Sequence, residues 1–422
     1  MTEQAPKPSA PVAPPVHPPM RYFADALAEL TVGGVPLLRL AARVGSTPFY
    51  AYDRAAMAAR VAELRAALPA ALRISYAMKA NPMPAVVQHM AGLVDGLDVA
   101  SAGEMMVALD AGMDARHISF AGPGKTEAEL HRAVAAGILL NVESFRELPI
   151  LQAASRELGL PARVAVRVNP DFDLKSSGMK MGGGPKPFGV DAEVVPELLA
   201  AIGQAQLAFE GFHIYAGSQN LNAAAVVEAQ CKSYELAVRL AQCAPAPVRH
   251  LNLGGGFGIP YFPGDKHLDL APIGANLAEL IERAGTDLPE AQLSIELGRY
   301  LVGEAGVYVC RVLDRKVSRG LTYLVTDGGL HHHLAASGNF GQVIRKNYPV
   351  RLGKASDVAT VDMEAVSVVG PLCTPLDLLG DRCRLPHAEP GDLVAIMQSG
   401  AYGASASPQR FLGHPEVREV LV

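Results

Sequence analysis

The chain has 422 residues, of which 50% are hydrophobic and 19% are charged, with a formal net charge of -5. This length allows two domains or one large barrel with an addition, and the composition predicts a sizeable core. The mild negative charge without a basic cluster argues against a nucleic-acid partner, and no apolar run reaches the roughly 20 residues of a membrane span.

The first residues are expected to form a tail. Residues 1 to about 20 are rich in Pro and Ala, with few large apolar side chains, so their burial could not offset the entropy of ordering. We predict a disordered tail over 1–22, and this segment lacks the apolar run of a signal peptide. The cysteines favour a reducing, cytoplasmic location, because they are odd in number and scattered without a CxxC pair: Cys231, Cys243, Cys310, Cys373 and Cys383.

From Thr47 onward, strand-like runs alternate with helical patterns. The first helix shows a start that Asp53 can cap, followed by Met57, Val61 and Leu64 on one face. Repetition of strand and helix predicts a (β/α)8 TIM barrel over 46–304, in which chemistry lies where the strands end. The eight strand-like runs are 72–77, 96–100, 117–121, 138–142, 163–168, 208–214, 249–253 and 292–297.

After Gly303 the helical rhythm stops. Strand-like runs at 307–312, 321–326, 361–369 and 393–397 predict a mainly β domain, a β-barrel or sandwich, over 305–422. The segment 23–45 precedes the barrel and is expected to join this domain, which would make the domain discontinuous.

Lys79 ends the first barrel strand, in the run Tyr76-Ala77-Met78-Lys79-Ala80-Asn81. Burying an ammonium is costly, so a lysine in such a place can shed its proton and become a nucleophile toward an aldehyde. Taken alone, a lysine reaching into solvent is the commoner explanation. Its position at a barrel strand end favours a functional one.

Two further strand ends carry motifs suited to a phosphorylated ring. A glycine run at 254–258, after the seventh strand, would let backbone N–H groups approach a phosphate, although tight turns use the same residues. After the eighth strand, Glu296 could hold a protonated ring nitrogen and Arg299 could meet an oxyanion. An ion pair between these two residues is an equally good explanation.

The remaining strand ends add polar groups to the same rim. His213 ends the sixth strand, where its flat imidazole could stack on a flat cofactor, and Ser218 could donate to a phosphate. A lone strand histidine is more often a core residue. Asp98 and Arg167 end the second and fifth strands, so the rim predicts a pocket for a phosphorylated aromatic aldehyde.

The ordered motifs YAMKAN, DVASAGE, RVNP, HIYAGSQ, GGGFG, ELGR, GPLCTPLD and GAY resemble the fold-type III pyridoxal-phosphate decarboxylases, the group of diaminopimelate and ornithine decarboxylases. The resemblance runs from about residue 23 to the C-terminal end of the chain. Within the group, the chain is most similar to a subgroup associated with exosortase A systems.

The resemblance implies a role for each matching residue. Lys79 would form the Schiff base with pyridoxal 5'-phosphate, His213 would stack on the ring, and Glu296 would hold its nitrogen. Cys373 would return a proton to the substrate carbon from the neighbouring subunit, which implies a homodimer with shared active sites. Further cofactor contacts would be Asp98, Arg167, Ser218, Gly255, Gly256, Arg299 and Tyr402, and substrate contacts would be Arg299, Arg345, Tyr348 and Asp377.

Three departures from the family pattern bear on the substrate. Thr374 and Pro375 stand where diaminopimelate enzymes carry a glutamate that reads the distal amino group and a serine, so free diaminopimelate is in doubt. The HIGSQ-type motif has two extra residues in this chain, over 213–219, and Leu297 replaces a proline. These features are similar to decarboxylases that act on an amino acid tethered to a carrier protein.

Several alternatives stay open at this level. The glycine-rich loop 175–189 could be a mobile lid or a plain surface loop. The run His331-His332-His333 invites a metal site, but adjacent histidines point in different directions, so no metal is expected. A racemase would use the same fold and cofactor, and a catalytically inactive regulatory relative is a third possibility.

Overall fold

The computed structural model describes residues 16–23, 27–172, 179–180, 182–342, 345–354 and 362–422. Residues 1–15 of the predicted tail lie outside this part of the chain. From Val16 onward the chain contacts the body of the protein, because Gly264 donates its backbone N–H to Val16 O over 3.0 Å. His17 Nε2 also lies 3.0 Å from Asn347 O, so the predicted tail extends too far at its C-terminal end.

A short segment before the barrel packs against the second domain. It consists of strands β1 (Thr31–Val32) and β2 (Val35–Pro36), helix α1 (Leu37–Val44) and strand β3 (Phe49–Tyr52). Leu30, Leu37 and Leu40 are buried in one apolar cluster with Phe49 and Val309. Burial of these side chains removes apolar surface from water and attaches the segment to the β domain.

Among the described residues, eight parallel strands close into a barrel. Strands β4–β8, β11, β13 and β14 pair in parallel in chain order, and β14 pairs with β4 to close the ring. They match the eight predicted runs, so the (β/α)8 barrel is confirmed. The strands of this region are β4 (Arg73–Ala77), β5 (Gly96–Val99), β6 (Ile118–Phe120), β7 (Leu139–Val142), β8 (Arg163–Asn169), β9 (Met179–Lys180), β10 (Val190–Asp191), β11 (Ala208–Ile214), β12 (Gly217–Ser218), β13 (His250–Gly255) and β14 (Gln292–Leu297).

Helices connect the barrel strands on the outside, and their ends follow ordinary capping chemistry. Asp53 Oδ1 accepts the Ala56 N–H over 3.0 Å, as predicted, and Thr126 and Glu129 form a reciprocal capping box on α5. The helices are α2 (Arg54–Ala67), α3 (Pro84–Ala91), α4 (Ala102–Asp110), α5 (Glu127–Ala136), α6 (Glu147–Leu158), α7 (Val195–Gln204), α8 (Ala223–Ala241), α9 (Ala271–Asp287) and α10 (Arg299–Val302). Short 3-10 turns occur at Met78–Ala80, Ala115–His117, Gly303–Ala305, Ala404–Ala406 and Phe411–Gly413.

The second domain is mainly β, as predicted. Its strands are β15 (Gly306–Ser318), β16 (Leu321–Thr326), β17 (Val350–Leu352), β18 (Met363–Val369), β19 (Leu378–Pro386), β20 (Leu393–Ile396) and β21 (Arg418–Leu421). They form one sheet in the order β17-β20-β15-β16-β18-β19. The four predicted runs correspond to β15, β16, β18 and β20, with residue 361 outside the described part of the chain.

Strand β3 corrects the predicted boundary at residue 46. It falls inside the range 46–304 given to the barrel, yet it pairs antiparallel with β15 and parallel with β21. Its burial explains this, because the four residues Phe49–Tyr52 are all buried and so need a sheet neighbour and cover on both faces. The barrel region therefore begins with α2.

In the described part of the chain, no helix combines the length and the apolar character that crossing a membrane requires. The cytoplasmic location inferred from the cysteines stays a prediction.

Candidate active site

Lys79 stands in the 3-10 turn Met78–Ala80, which begins where β4 ends. The second domain holds the end of this turn, directly after Lys79, through two hydrogen bonds. Tyr402 donates its backbone N–H to Ala80 O over 2.7 Å, and Asn81 Nδ2 donates to Gly400 O over 3.0 Å. The Lys79 side chain is accessible and lines the cavity at the barrel mouth.

Two adjoining spaces share Lys79 and Glu296. The larger cavity is also lined by the predicted residues Asp98, Arg167 and His213, together with Phe188. The smaller recess is lined by Tyr215, Ser218, Gly256, Arg299 and Tyr402. The structure therefore brings together most of the predicted cofactor residues, from six different strand ends and the second domain.

Glu296 pairs with His213 inside the barrel. His213 Nε2 lies 3.0 Å from Glu296 Oε2, and both side chains are buried. Asn252 Nδ2 donates to the same oxygen over 3.2 Å. The ion pair that the sequence suggested between Glu296 and Arg299 is not the one formed, since Arg299 donates to Tyr261 Oη over 3.2 Å.

Two carboxyl groups line this cavity, that of the buried Glu296 and that of the partly buried Asp98. Burial alone would raise the pKa of Glu296, but His213, Lys79 and Arg167 outweigh burial and lower that pKa. Burial and the nearby Glu296 raise the pKa of Asp98, although a hydrogen bond from Ser119 opposes them. Two nearby carboxylates cannot both ionise freely, so Glu296 is the charged partner and Asp98 keeps its proton.

In the protein without its cofactor, the Lys79 amine is protonated. Burial lowers its pKa, but the Glu296 carboxylate, with Tyr215 and Tyr402, outweighs burial and raises the pKa above its ordinary value. The sequence-based expectation that this site frees the lysine of its proton is therefore wrong for the protein without its cofactor. A carboxylate in the cavity, invisible as a neighbour in the sequence, makes the difference.

The recess is suited to a phosphate. Gly256 has φ +75°, and a Cβ there would lie 2.0 Å from Gly217 O, so the backbone approaches closely only because the residue is glycine. At Gly255, a Cβ would lie 1.9 Å from Glu296 O. Arg299 Nε is buried without a hydrogen-bond partner among the described residues, so an anion bound here would satisfy it.

Arg167 reaches the cavity through a buried network. Its Nη1 donates to Glu143 Oε1 over 2.9 Å, and its guanidinium lies 5.1 Å from the centre of the Phe188 ring. Burial raises the pKa of Glu143, but Arg167 and Lys125 outweigh it and lower the pKa. The carboxylate therefore stays charged and fixes the arginine.

Tyr402 has a constrained backbone at the mouth. Its φ is +53°, a left-handed conformation that side chains other than glycine adopt at a cost of about 1 kcal/mol or more. Its ring lies 4.8 Å from the Arg299 guanidinium carbon. The second domain thus holds Tyr402 in a strained backbone conformation that places its aromatic ring against the recess.

Three predicted substrate residues lie away from these spaces. Arg345 donates to Ser337 O over 3.0 Å and lines a separate cavity with His17 and Lys346. Asp377 is buried and accepts the backbone N–H groups of Leu330 and Leu372, over 2.6 and 2.8 Å. Tyr348 is buried and packs at a tilt against Tyr261, with ring centres 4.6 Å apart, and it lines neither space.

Cys373 is exposed in the loop that follows β18 and does not line the cavity of its own chain. The predicted role of its thiol in a neighbouring subunit stays a prediction. The predicted lid at 175–189 also stays a prediction, because residues 175–178 and 181 lie outside the described part of the chain.

Sequence reasoning gave no role to Tyr215 or Glu143. Tyr215 lies two residues after His213, and the period of two along a strand was the signal that could have found it. Glu143 follows the fourth barrel strand and could have been noted as one more polar strand end. His331, His332 and His333 lie outside the site, and no metal-binding group of three His, Cys, Asp or Glu occurs among the described residues.

Comparisons with known proteins match this geometry. A family model described as "Pyridoxal-dependent decarboxylase, pyridoxal binding domain" matches residues 54–303. The chain is 40% identical over 379 residues to an L-glutamyl-[BtrI acyl-carrier protein] decarboxylase from Niallia circulans, covering 89% of this chain and 88% of that protein. It is 35% identical over 400 residues to a diaminopimelate decarboxylase from Aquifex aeolicus (strain VF5), covering 93% and 90%.

Solved structures agree over both domains. A diaminopimelate decarboxylase from M. jannaschii in co-complex with L-lysine superposes with a TM-score of 0.84 at 26% identity, covering 95% of this chain and 92% of that one. A diaminopimelate decarboxylase from Helicobacter pylori complexed with L-lysine gives a TM-score of 0.80 at 28% identity, covering 91% and 94%.

Proposed function

The chain belongs to the pyridoxal-dependent decarboxylase family, and from this premise we propose that it removes the α-carboxylate of an amino acid whose distal end is bound to a carrier protein. Its cofactor is pyridoxal 5'-phosphate, and it is a carboxy-lyase. The observation that carries the choice of substrate is the loop at 371–376, which displays Cys373 and no carboxylate.

When bound, pyridoxal phosphate supplies an electron sink for the pair left behind by departing carbon dioxide. Glu296, the charged member of its carboxyl pair, would keep a proton on the ring nitrogen. Arg299 and the backbone N–H of Gly256 would bind the phosphate, since the Arg299 guanidinium lines the recess and Gly256 has no Cβ to fill it. Lys79 would bind the aldehyde carbon until the substrate amine takes its place.

The 371–376 loop supports a substrate without a distal positive charge. Thr374 and Pro375 follow Cys373, and neither can attract an ammonium group by charge. Asp377, the nearest acidic residue in sequence, is buried, and both of its carboxylate oxygens accept hydrogen bonds from backbone N–H groups. An amino acid joined to a carrier through its side chain would need no such partner.

The relatives support both sides of this choice. The relative from Niallia circulans acts, by its name, on a glutamyl group held by an acyl-carrier protein. Glutamate attached through its side-chain carboxyl has an uncharged distal end, which agrees with the loop. The relative from Aquifex aeolicus is a diaminopimelate decarboxylase, so that free amino acid is the alternative substrate.

We further propose a homodimer in which Cys373 serves the partner's site. Large apolar side chains are exposed next to the mouth: Phe340 is 44% and Leu376 58% accessible. Phe340 lies 6.3 Å from the Tyr402 ring, and Asn339 Nδ2 donates to Leu376 O over 3.3 Å. A second copy covering this surface would bury both side chains and bring a thiol proton to the substrate carbon where the carboxylate leaves.

Carbon dioxide release tests the substrate. The protein, loaded with pyridoxal phosphate, is assayed with a glutamyl-carrier protein thioester and with free L-glutamate, diaminopimelate, ornithine and lysine. We expect kcat/KM for the carrier-bound glutamyl group to exceed that for free glutamate by about 100-fold, since the carrier adds binding contacts. Faster turnover of free diaminopimelate would contradict the proposal, and Lys79→Ala supplies the background rate.

A further inference from the structure

His213 and Tyr215 lie two residues apart at the end of one barrel strand. His213 lies in β11 and Tyr215 directly follows its last residue, Ile214; His213 lines the larger cavity at the barrel mouth and Tyr215 lines the recess. Because strands of the barrel run toward the mouth, Tyr215 lies one layer closer to it than His213. The two side chains therefore meet different parts of the site.

Tyr215 faces the groups that would surround the cofactor. It lines the recess with Lys79, Ser218 and Arg299, and the Lys79 Nζ atom lies 5.7 Å from the centre of its ring. The ring also covers Gly254, where a Cβ would lie 3.1 Å from Tyr215 Cδ2. A flat, half-buried aromatic face is thus held beside the lysine.

His213 is engaged elsewhere. Its side chain is buried, at 1% exposure, and its Nε2 atom lies 3.0 Å from Glu296 Oε2. This distance places the Nε2 edge of the imidazole against the Glu296 carboxylate. With that edge directed at Glu296, the imidazole supports the carboxylate from the deeper layer of the barrel.

We propose that the phenol ring of Tyr215, and not the imidazole of His213, covers one face of the cofactor ring, while His213 acts as the positioning residue of Glu296. Tyr215 thus takes the stacking role that the sequence analysis gave to His213. The inference rests on pyridoxal phosphate binding beside Lys79, but it does not depend on a carrier-bound substrate.

Cofactor affinity and the visible circular dichroism of bound pyridoxal phosphate test the first half. For Tyr215→Leu we expect affinity to fall about tenfold and the dichroic band to change, because an aromatic face is lost. Tyr215→Phe keeps the face, so its affinity should stay within about twofold of the wild type. Tyr323→Leu, a half-buried tyrosine on β16, is the matched control.

A double-mutant cycle between His213 and Glu296 tests the second half. His213→Ala should weaken cofactor affinity in the wild-type background but add little in a Glu296→Gln background, because its effect passes through Glu296. His213→Gln, whose side-chain amide can still donate to Oε2, should recover most of the affinity and the dichroic band. Thermal unfolding of each cofactor-free variant separates loss of fold from loss of binding.

Each outcome decides between the two residues. If His213→Ala abolishes the dichroic band in both backgrounds while Tyr215→Leu leaves affinity unchanged, His213 is the ring-facing residue and the inference is overturned. If Tyr215→Leu weakens cofactor binding and the double-mutant cycle shows coupling between His213 and Glu296, the inference stands. A wild-type protein that takes up no pyridoxal phosphate would instead refute the proposed function.

Discussion

Arg167 Nη1 donates to Glu143 Oε1 over 2.9 Å, and the same carboxylate accepts the backbone N–H groups of Gly122 and Gly189. One buried acid thus fixes a cation of the cavity and two loops beside it. Glu143→Gln keeps the shape but removes the charge, so we expect a loss of about 2 kcal/mol in unfolding free energy. We also expect several-fold weaker pyridoxal phosphate binding.

Urea unfolding and cofactor titration measure both effects. Glu290→Gln is the matched control, because Glu290 pairs with Arg249 at the exposed surface. An unchanged cofactor affinity in Glu143→Gln would mean that the charge of Glu143 does not position Arg167 for binding.

Lys79→Ala removes the proposed anchor of the cofactor. We expect the visible absorbance of the loaded protein to be lost on gel filtration, and decarboxylation to fall by at least about a thousandfold, because the covalent attachment is gone. The comparison variant is Lys232→Ala, an exposed lysine on α8. Retained absorbance after gel filtration would place the attachment at another residue.

Mixing inactive variants tests the shared site. Lys79→Ala and Cys373→Ala each lack one residue, and in a dimer whose sites combine both chains a mixed pair regains one complete site. Random pairing of equal amounts should then restore about a quarter of wild-type turnover. Each variant mixed with itself is the control. No recovery after subunits are shown to exchange would mean that each chain supplies its own cysteine.

Gly256→Ala should close the phosphate recess. A Cβ would lie 2.0 Å from Gly217 O at a φ of +75°, so the backbone must move away and the phosphate contacts weaken. We expect cofactor affinity to fall at least about tenfold. Gly137→Ala has a similar φ of +74° but nothing within 4 Å of its Cβ, so it separates strain from crowding in a cofactor titration.

Buried histidines make stability depend on acid. Burial lowers the pKa of His333 to about 3, below its ordinary value of 6.5, so the folded protein excludes a proton that the unfolded chain binds. The unfolding free energy that the neutral His333 contributes is fully present above pH 6.5 and is lost as the pH falls toward 3. The loss is on the order of 3 kcal/mol between about pH 6.5 and pH 4. Chemical unfolding across this range should show a shallower slope in His333→Gln.

The barrel was predictable because its strands are apolar runs broken by turns, and their ends must meet at one rim. This pattern alone predicted that Lys79, Asp98, Arg167 and Glu296 would lie in one cavity. The predicted decarboxylase class and cofactor are confirmed by the family, and the racemase and inactive-relative alternatives are not. Strands β17, β19 and β21 were not predicted because they are short or carry several charged residues, as Leu378–Pro386 does.

The neighbours of each site residue were not predictable in the same way. Nothing in the sequence says that His213 approaches Glu296, because the two lie on strands brought together only by barrel closure. The charge of Lys79 depends on that same carboxylate, so its protonation could not be read from the chain. Asp377 and Arg345 looked available as polar residues, yet backbone groups bind them: the N–H groups of Leu330 and Leu372 for Asp377, and the carbonyls of Ser337 and Leu378 for Arg345.

The clamp on the Lys79 turn has a consequence for how substrate enters. Hydrogen bonds from Tyr402 to Ala80 and from Asn81 to Gly400 tie the two residues directly after Lys79 to the second domain. The two domains cannot separate by a hinge motion without displacing Lys79. Substrate entry and product release must therefore depend on side chains and loops at the edge of the mouth, while the two domains behind them stay fixed.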